Sequence, residues 1–291
     1  MVNWAQVLLN SAVTGSLFAL VAVGLTLTYS LSRFPNFVHA EFITLGAYVG
    51  YAIAEQLDLG LPLGFLAAFA ASGALGAASY LCVFRPLQQR GATLIHLMVA
   101  SISLGFVVRH CIQEAWGRAP LLIRIVWARY DVGPVRVTGL WLFIIAMAAA
   151  MALTTHVVLT RTKIGKAMRA TSNNPELAMA SGINVDRVML LAWIAGAMLA
   201  GIGGLLRACD ARLVPHLGWE ILLPAFTTTI LGGIGNFHGM LAAAYVLGLA
   251  ENIGVVALSA LDLSTDYRPA VAFIILVIML IFRPTGLFGR R

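Results

Sequence analysis

Charge is scarce in this sequence. Of 291 residues, 11% are Asp, Glu, Lys or Arg, while 60% are hydrophobic. Soluble domains carry roughly 25% charged residues, so a single water-soluble core is excluded and the surface itself must be apolar. Cysteine is nearly missing as well. Cys82, Cys111 and Cys209 stand apart, without metal-ligand spacing or a pairing pattern, and read as free thiols among helices. Nucleotide and catalytic signatures are also lacking. Gly165-Lys166 is followed by Ala167 and has no upstream glycine, so the chain does not itself cradle a nucleotide triphosphate. His39 and Glu41 do not form His-Glu-x-x-His, and the six His residues show no ligand spacing, so no metal is expected. Ser16 follows Gly15 outside any Gly-x-Ser-x-Gly elbow. "AYVGYA" (47–52) has the letters of a potassium filter but continues a helical run. Gly46 and Gly50, four apart, suit close helix packing better. The chain reads as no enzyme and needs no cofactor. Its net charge of +7 suits a protein facing anionic lipid and calls for no nucleic acid.

What the chain does have is long charge-free runs: Trp4–Ser32, Gly60–Phe84, Gly91–Val108, Val137–Thr160, Val188–Leu206 and Ile221–Ala250. About 20 apolar residues at 1.5 Å each span the ~30 Å hydrocarbon layer, and lipid leaves an open backbone no partners outside a helix or closed barrel. Short alternating segments, the barrel pattern, are lacking. The expectation is an all-α, polytopic transmembrane bundle. The start "MVNWAQ" has no positive n-region and leads into a run too long for an h-region, so no cleaved signal peptide is expected.

Helices are predicted near 6–31, 37–57, 61–84, 91–110, 138–160, 188–206, 219–235, 237–258 and 267–283, giving eight or nine crossings in a single domain over 1–291. Placing the polar loop 161–187 in the cytoplasm puts Arg33, Arg85, Arg90, Arg161, Lys163, Lys166, Arg169, Arg187, Arg283, Arg290 and Arg291 inside. Arg109, Arg118, Arg124, Arg129, Arg136, Arg207, Arg212 and Arg268 fall outside. Eleven against eight has the sign the positive-inside rule demands, by a small margin.

Ile221–Ala250 is too long for one helix and too short for two, and Gly232, Gly233, Gly235 and Gly239 break it. The earlier segment "FPNFVHAEFITLGAYVGYA" has related punctuation: both places read Asn-Phe, then His within two residues, then Ala-Tyr-Val. Chance and an ancestral repeat both explain so short a match. Broken segments at corresponding positions in two halves point to a transport site. Candidate path residues are Asn36, His39, Glu41, Thr227, Thr228, Thr229, Gly232, Gly233 and Gly235. Glu41 and Glu251, near helix ends, read either as interfacial carboxylates or as solute contacts.

The loop "RTKIGKAMRATSNNPELAMASGINVDR" divides into a basic entry, a turn and a short helix. Asn174 caps, Pro175 takes the first helical position, Glu176 sits at the positive end of the dipole, and Gly182 stops the helix. Two turns gain little from propensity and need a surface to lie against.

Glu176-x-Ala178-x-x-x-Gly182 resembles the Glu-Ala-Ala-x-x-x-Gly loop of permease subunits in binding-protein-dependent ABC importers. With "FPNFVHAEFITLGAY", "IAGAMLAGIGGLL", "LGGIGNFHGMLAAAYVLGLAEN" and "FRPTGLFGRR", nearly the whole chain resembles the LivH-type permeases of branched-chain amino-acid importers. Leu177 replaces one Ala of the triplet, and Ala40 stands where the family has Gly after His. The resemblance implies a bacterial inner-membrane subunit and a coupling helix at Asn174, Pro175, Glu176, Ala178 and Gly182. It also implies two ATPase partners, a second permease subunit and an external solute-binding protein. Arg124 and Arg129, in the outer loop, are candidates for docking that protein. Urea or short amides are alternative solutes. The alternative class is an ion-coupled secondary transporter.

Overall fold

The computed structural model describes residues 3–125, 127–283 and 286–288, with the side chain of Asp266 set aside. Arg290 and Arg291 of the predicted inner charges, and most of "RPTGLFGRR", lie outside the described residues.

The chain begins with α1 (Trp4–Ser32), then α2 (His39–Tyr51), which widens into a π-helical turn at Ala52–Gln56. Next, α3 (Leu61–Ser79) continues through a π-turn at Tyr80–Phe84 into α4 (Arg85–Gln89), and α5 spans Leu94–Trp116. After the hairpin β1 (Arg129–Val132) and β2 (Val135–Thr138) come α6 (Gly139–Arg161), α7 (Lys163–Asn173) and α8 (Pro175–Ala180). The last four helices are α9 (Val185–Asp210), α10 (Leu217–Gly232), α11 (Phe237–Ala260) and α12 (Arg268–Phe282).

Six helical stretches are long and apolar enough to cross a membrane: α1, Leu61–Gln89, α5, α6, α9 and α11. That is fewer than the eight or nine crossings read from the sequence, among the described residues. The shortfall lies at the broken places. α10 and α12 have 16 and 15 residues, about 24 and 22 Å at 1.5 Å per residue. α2 is cut short at its start by the non-helical stretch 34–38.

α1 and α9 form the centre. α1 packs on α9, α10, α11 and α6; α9 packs also on α2 and α3. Between membrane helices no hydrophobic force drives association, so close backbone approach must supply the attraction. Gly24 of α1 lies against Gly196 of α9, and Gly46 of α2 against Gly201. Trp193, fully buried, gathers Phe34, Phe42, Tyr80 and Phe84, with the Phe84 ring centroid at 4.6 Å.

The ends of the bundle are distinct. The Gln6 side chain donates to Arg136 O at 3.2 Å, and Arg136 N–H donates to Gln6 Oε1 at 2.9 Å, so α1 starts beside the hairpin. At its other end, Arg33 donates to Ser172 O at 3.2 Å and Ser172 Oγ donates to Ser30 O at 2.9 Å. The α7–α8 elbow and the hairpin therefore occupy opposite ends.

Two elements differ from the sequence reading. The basic entry to the polar loop is itself a helix, α7, capped by Thr162, whose Oγ1 accepts from Gly165 N–H at 3.0 Å. The loop between α5 and α6 contains an antiparallel hairpin turning at Gly133-Pro134. The Leu121–Leu213 bridge ties that loop to the segment after α9.

Candidate functional site

The elbow is built from caps. Asn174 closes α7 and opens α8, its Oδ1 accepting from Leu177 N–H at 3.0 Å with Pro175 at the first position. At the far end Gly182 N–H donates to Met179 O at 2.9 Å and Ile183 N–H to Ala178 O at 3.0 Å, the paired bonds of a Schellman motif. Gly182 has φ +81°, and an added Cβ there would meet nothing within 4 Å. Ala178 faces inward and is buried, while Leu177 and Met179 are 64% and 55% exposed. A helix of 6 residues thus points two large apolar side chains away from the bundle.

A second group of candidates sits inside the bundle. The stretch 34–38 turns back from the elbow end, and His39 Nε2 lies 3.2 Å from Val21 O. Val21 is eleven residues from the end of α1, about 16 Å along the axis, so α2 begins deep in the bundle. Asn36 is buried with neither amide atom hydrogen-bonded, and His39 Nδ1 also has no partner. Thr227, Thr228 and Thr229 are fully buried on α10. Thr229 shares a hydrogen bond with Thr26 at 3.1 Å and Thr227 donates to Leu223 O at 2.9 Å, which leaves only Thr228 Oγ1 of the three without a partner. α2 and the segment before it pack on α10: Gly218 N–H donates to Thr44 Oγ1 at 3.1 Å, and the Phe37 and Phe226 rings are 5.4 Å apart.

Glu41 and Glu251 are both buried inside the protein and both paired. Glu41 is completely buried; Arg109 Nε and Nη2 reach its Oε1 at 3.1 and 2.8 Å, and Trp219 Nε1 donates to the same oxygen at 2.8 Å. Glu251 pairs with Arg268 at 2.8 Å, and Arg268 also donates to Thr14 at 3.0 Å. A lone carboxylate at membrane depth is expensive, so each has drawn an arginine. Two of the eight arginines assigned to outer loops are therefore partners of carboxylates within the bundle. Arg109 lies within α5, which runs six residues beyond its predicted end. The missed signal is spacing: Ser101, Gly105 and Arg109 recur every four residues on one face, and Ser101 Oγ accepts from Phe37 N–H at 3.2 Å.

The glycine break lies at the elbow end. Gly232 ends α10, Gly233 has φ +95° and Gly235 φ +80°, and Asn236 caps α11 by accepting from Gly239 N–H at 3.0 Å. Asn36 makes no such cap for α2, so the two Asn-Phe segments differ in geometry. A cavity of about 640 Å³ opens here, lined by Thr26, Ser30, His156, Arg169, Gly235 and Asn236 among others. Of the predicted path residues only Gly235 borders it. Gly286 packs on the Gly233 backbone: a Cβ built on Gly286 would lie 2.5 Å from Gly233 N and Cα. On the importer reading that the resemblance implies, Gly233→Leu, which forces a side chain into positive φ, should lower solute uptake at least tenfold while leaving the ATPase bound. Uptake and copurification of the ATPase, measured side by side, check this.

At the opposite end Arg124 and Arg129 are exposed, and neither guanidinium has a partner among the described residues. The backbone of Arg124 is fixed, its N–H donating to Glu55 at 2.8 Å. Among the described residues no group of three or more His, Cys, Asp or Glu is placed to hold a metal.

A multi-pass helical bundle with a capped elbow at one end and a broken helix pair inside it is the anatomy of a membrane permease. Residues 7–280 match the family model described as "Branched-chain amino acid transport system / permease component", and the chain belongs to that family. It is 30% identical to the high-affinity branched-chain amino acid transport system permease protein BraD of Pseudomonas aeruginosa, covering 99% of this chain and 96% of the relative. Identity to LivH of Escherichia coli K12 is 29%, with 98% and 95% covered. The ribose import permease RbsC of the same species is 24% identical over 90% of this chain and 81% of its own length. In fold the chain is similar to "PsaBC from Streptococcus pneumoniae in complex with Fab", with a TM-score of 0.53 at 15% identity, covering 95% of this chain and 91% of that one.

Proposed function

We propose that this chain is the translocation subunit of an ABC importer that carries branched-chain amino acids across the inner membrane of a bacterium. Two ATPase subunits bind the elbow, a second permease of the same family pairs with this one, and a solute-binding protein docks at the hairpin end. The chain acts as one transmembrane unit over 1–291, and its elements alternate between the two ends in nine passes, with α2, α10 and α12 as the short ones. The observation that carries the reading is the elbow, where Leu177 and Met179 stand exposed on a helix capped at both ends.

The ion-coupled alternative has less support. It requires carboxylates free to bind an ion at depth, and both Glu41 and Glu251 are held by arginines. In proteoliposomes containing the permease pair, ATPase and binding protein, leucine accumulation should require internal ATP. Accumulation driven by a proton or sodium gradient without ATP would refute the proposal.

The outer loop gives a kinetic prediction. Replacing both Arg124 and Arg129 with Gln should slow association of the loaded binding protein about three- to tenfold at low ionic strength, with little effect in high salt, because rim charges act on encounter. Stopped-flow docking at two salt concentrations measures it, and salt-independent association in the wild type would count against the role.

A further inference from the structure

We infer that Arg109 and Glu41, with Trp219, form the point at which this permease reads a zwitterion, Arg109 taking the solute carboxylate and Glu41 its ammonium group. The inference rests on the importer reading above and names the chemistry by which solute is told apart.

The bonding of the pair is lopsided. Three donors, Arg109 Nε, Arg109 Nη2 and Trp219 Nε1, converge on Glu41 Oε1. Oε2 is buried and accepts nothing. Guanidinium and carboxylate favour a two-by-two fork that uses both oxygens; here both Arg109 bonds go to Oε1, the fork is not made, and Oε2 stays unsatisfied. The two partners also differ in access. Glu41 is 0% exposed and Arg109 15%, so the guanidinium is the half that a solute meets first. One turn before Arg109 on the same face of α5, buried Gly105 lets that helix pass close to the carboxylate: a Cβ added there would be in ordinary contact with Glu41 Cγ at 3.7 Å and Val38 Cα at 3.9 Å.

Charge accounting selects the ligand. Opening a buried ion pair strands two charges in a poor solvent, which is strongly unfavourable. A ligand carrying one charge repairs one half and leaves the other bare. An α-amino acid carries both signs a few ångströms apart and can pair with each half at once, so the site exchanges one ion pair for two. Urea, amides and sugars carry no charge to offer. The surroundings suit the remaining side chain. Phe37 stacks on Trp219 at 6.2 Å and meets the Phe226 ring at a tilt at 5.4 Å, and Arg109 lies over the Trp219 ring at 4.8 Å. An aliphatic group beside that carboxylate and ammonium meets aromatic faces.

Trp219 provides the readout. In the purified permease–ATPase complex without binding protein, L-leucine should change tryptophan emission, with the change lost in Trp219→Phe. Isovaleramide (uncharged) and isoamylamine (cation only) at the same concentration should produce none. Arg109→Gln should abolish the response and lower leucine uptake at least tenfold. Arg109→Lys, which keeps the charge but not the fork, should raise the half-saturating leucine concentration about tenfold. An equal response to isovaleramide, a response unchanged per folded complex in Arg109→Gln, unchanged half-saturation in Arg109→Lys, or no response to leucine would each overturn the inference. Wild-type uptake is measured alongside. Leucine accumulation with no optical response sinks this site and spares the importer reading, whereas no accumulation at all sinks both.

Discussion

Replacing Gly24 with Val should destabilise the bundle by about 3 kcal/mol, the upper part of the overpacking range. A Cβ built on Gly24 lands on the carbonyl oxygen of Gly196, with Gly196 C at 2.9 Å and Cα at 3.0 Å. Every obstructing atom is backbone, so no rotamer change relieves the clash and α1 must move from α9. These are the two most enclosed of the long helices, with 72% of their apolar windows buried in each, and a shift between them reaches α2, α10 and α11. The effect reads out as a lower unfolding temperature in detergent and less permease recovered with its ATPase. Gly196→Val should behave alike, and the double variant should cost less than the sum of the singles, because both act at one contact. Full stability in either single variant would show that the helices are further apart than this.

The reason such contacts matter also explains what could be read from the sequence. Hydropathy and length located every long helix with ends off by at most six residues, since lipid forces each backbone to close on itself. The elbow's caps were legible for the same local reason: Asn174, Pro175 and Gly182 each do their work within four residues. Pairing across the bundle was not legible. Arg109 looked like an outer loop charge because the apolar run stops at Val108, but its partner Glu41 lies 68 positions away. The threonine triplet looked like a polar lining, yet Thr26 occupies one of its hydroxyls from 203 positions away. The hairpin after α5 was missed because its alternation covers only four residues per strand. The crossing count exceeded the long helices because α2, α10 and α12 are apolar but interrupted, and composition does not distinguish a short helix from a complete one.

Gly182→Glu should leave the permease inserted and assembled but lower solute uptake at least tenfold. Two effects combine. At φ +81° any side chain is strained, by about 1–2 kcal/mol, and that strain falls on the two Schellman bonds that terminate α8. The new carboxylate also points into open space beside Leu177 and Met179, the face on which we propose the ATPase docks, where it would have to be desolvated on docking. Nothing in the bundle core is touched, so insertion and the α1–α9 packing should survive. Gly182→Ala carries the strain without the charge and should fall between the two. Leu177→Ala with Met179→Ala carries neither, yet should weaken ATPase docking by removing apolar area worth about 1.5–3 kcal/mol per side chain when buried. Comparing ATP turnover stimulated by loaded binding protein with uptake separates the causes. Strain or charge at 182 should uncouple hydrolysis from transport, while loss of the apolar pair should lower the amount of ATPase bound. Normal uptake in Gly182→Glu would remove α8 from the coupling path.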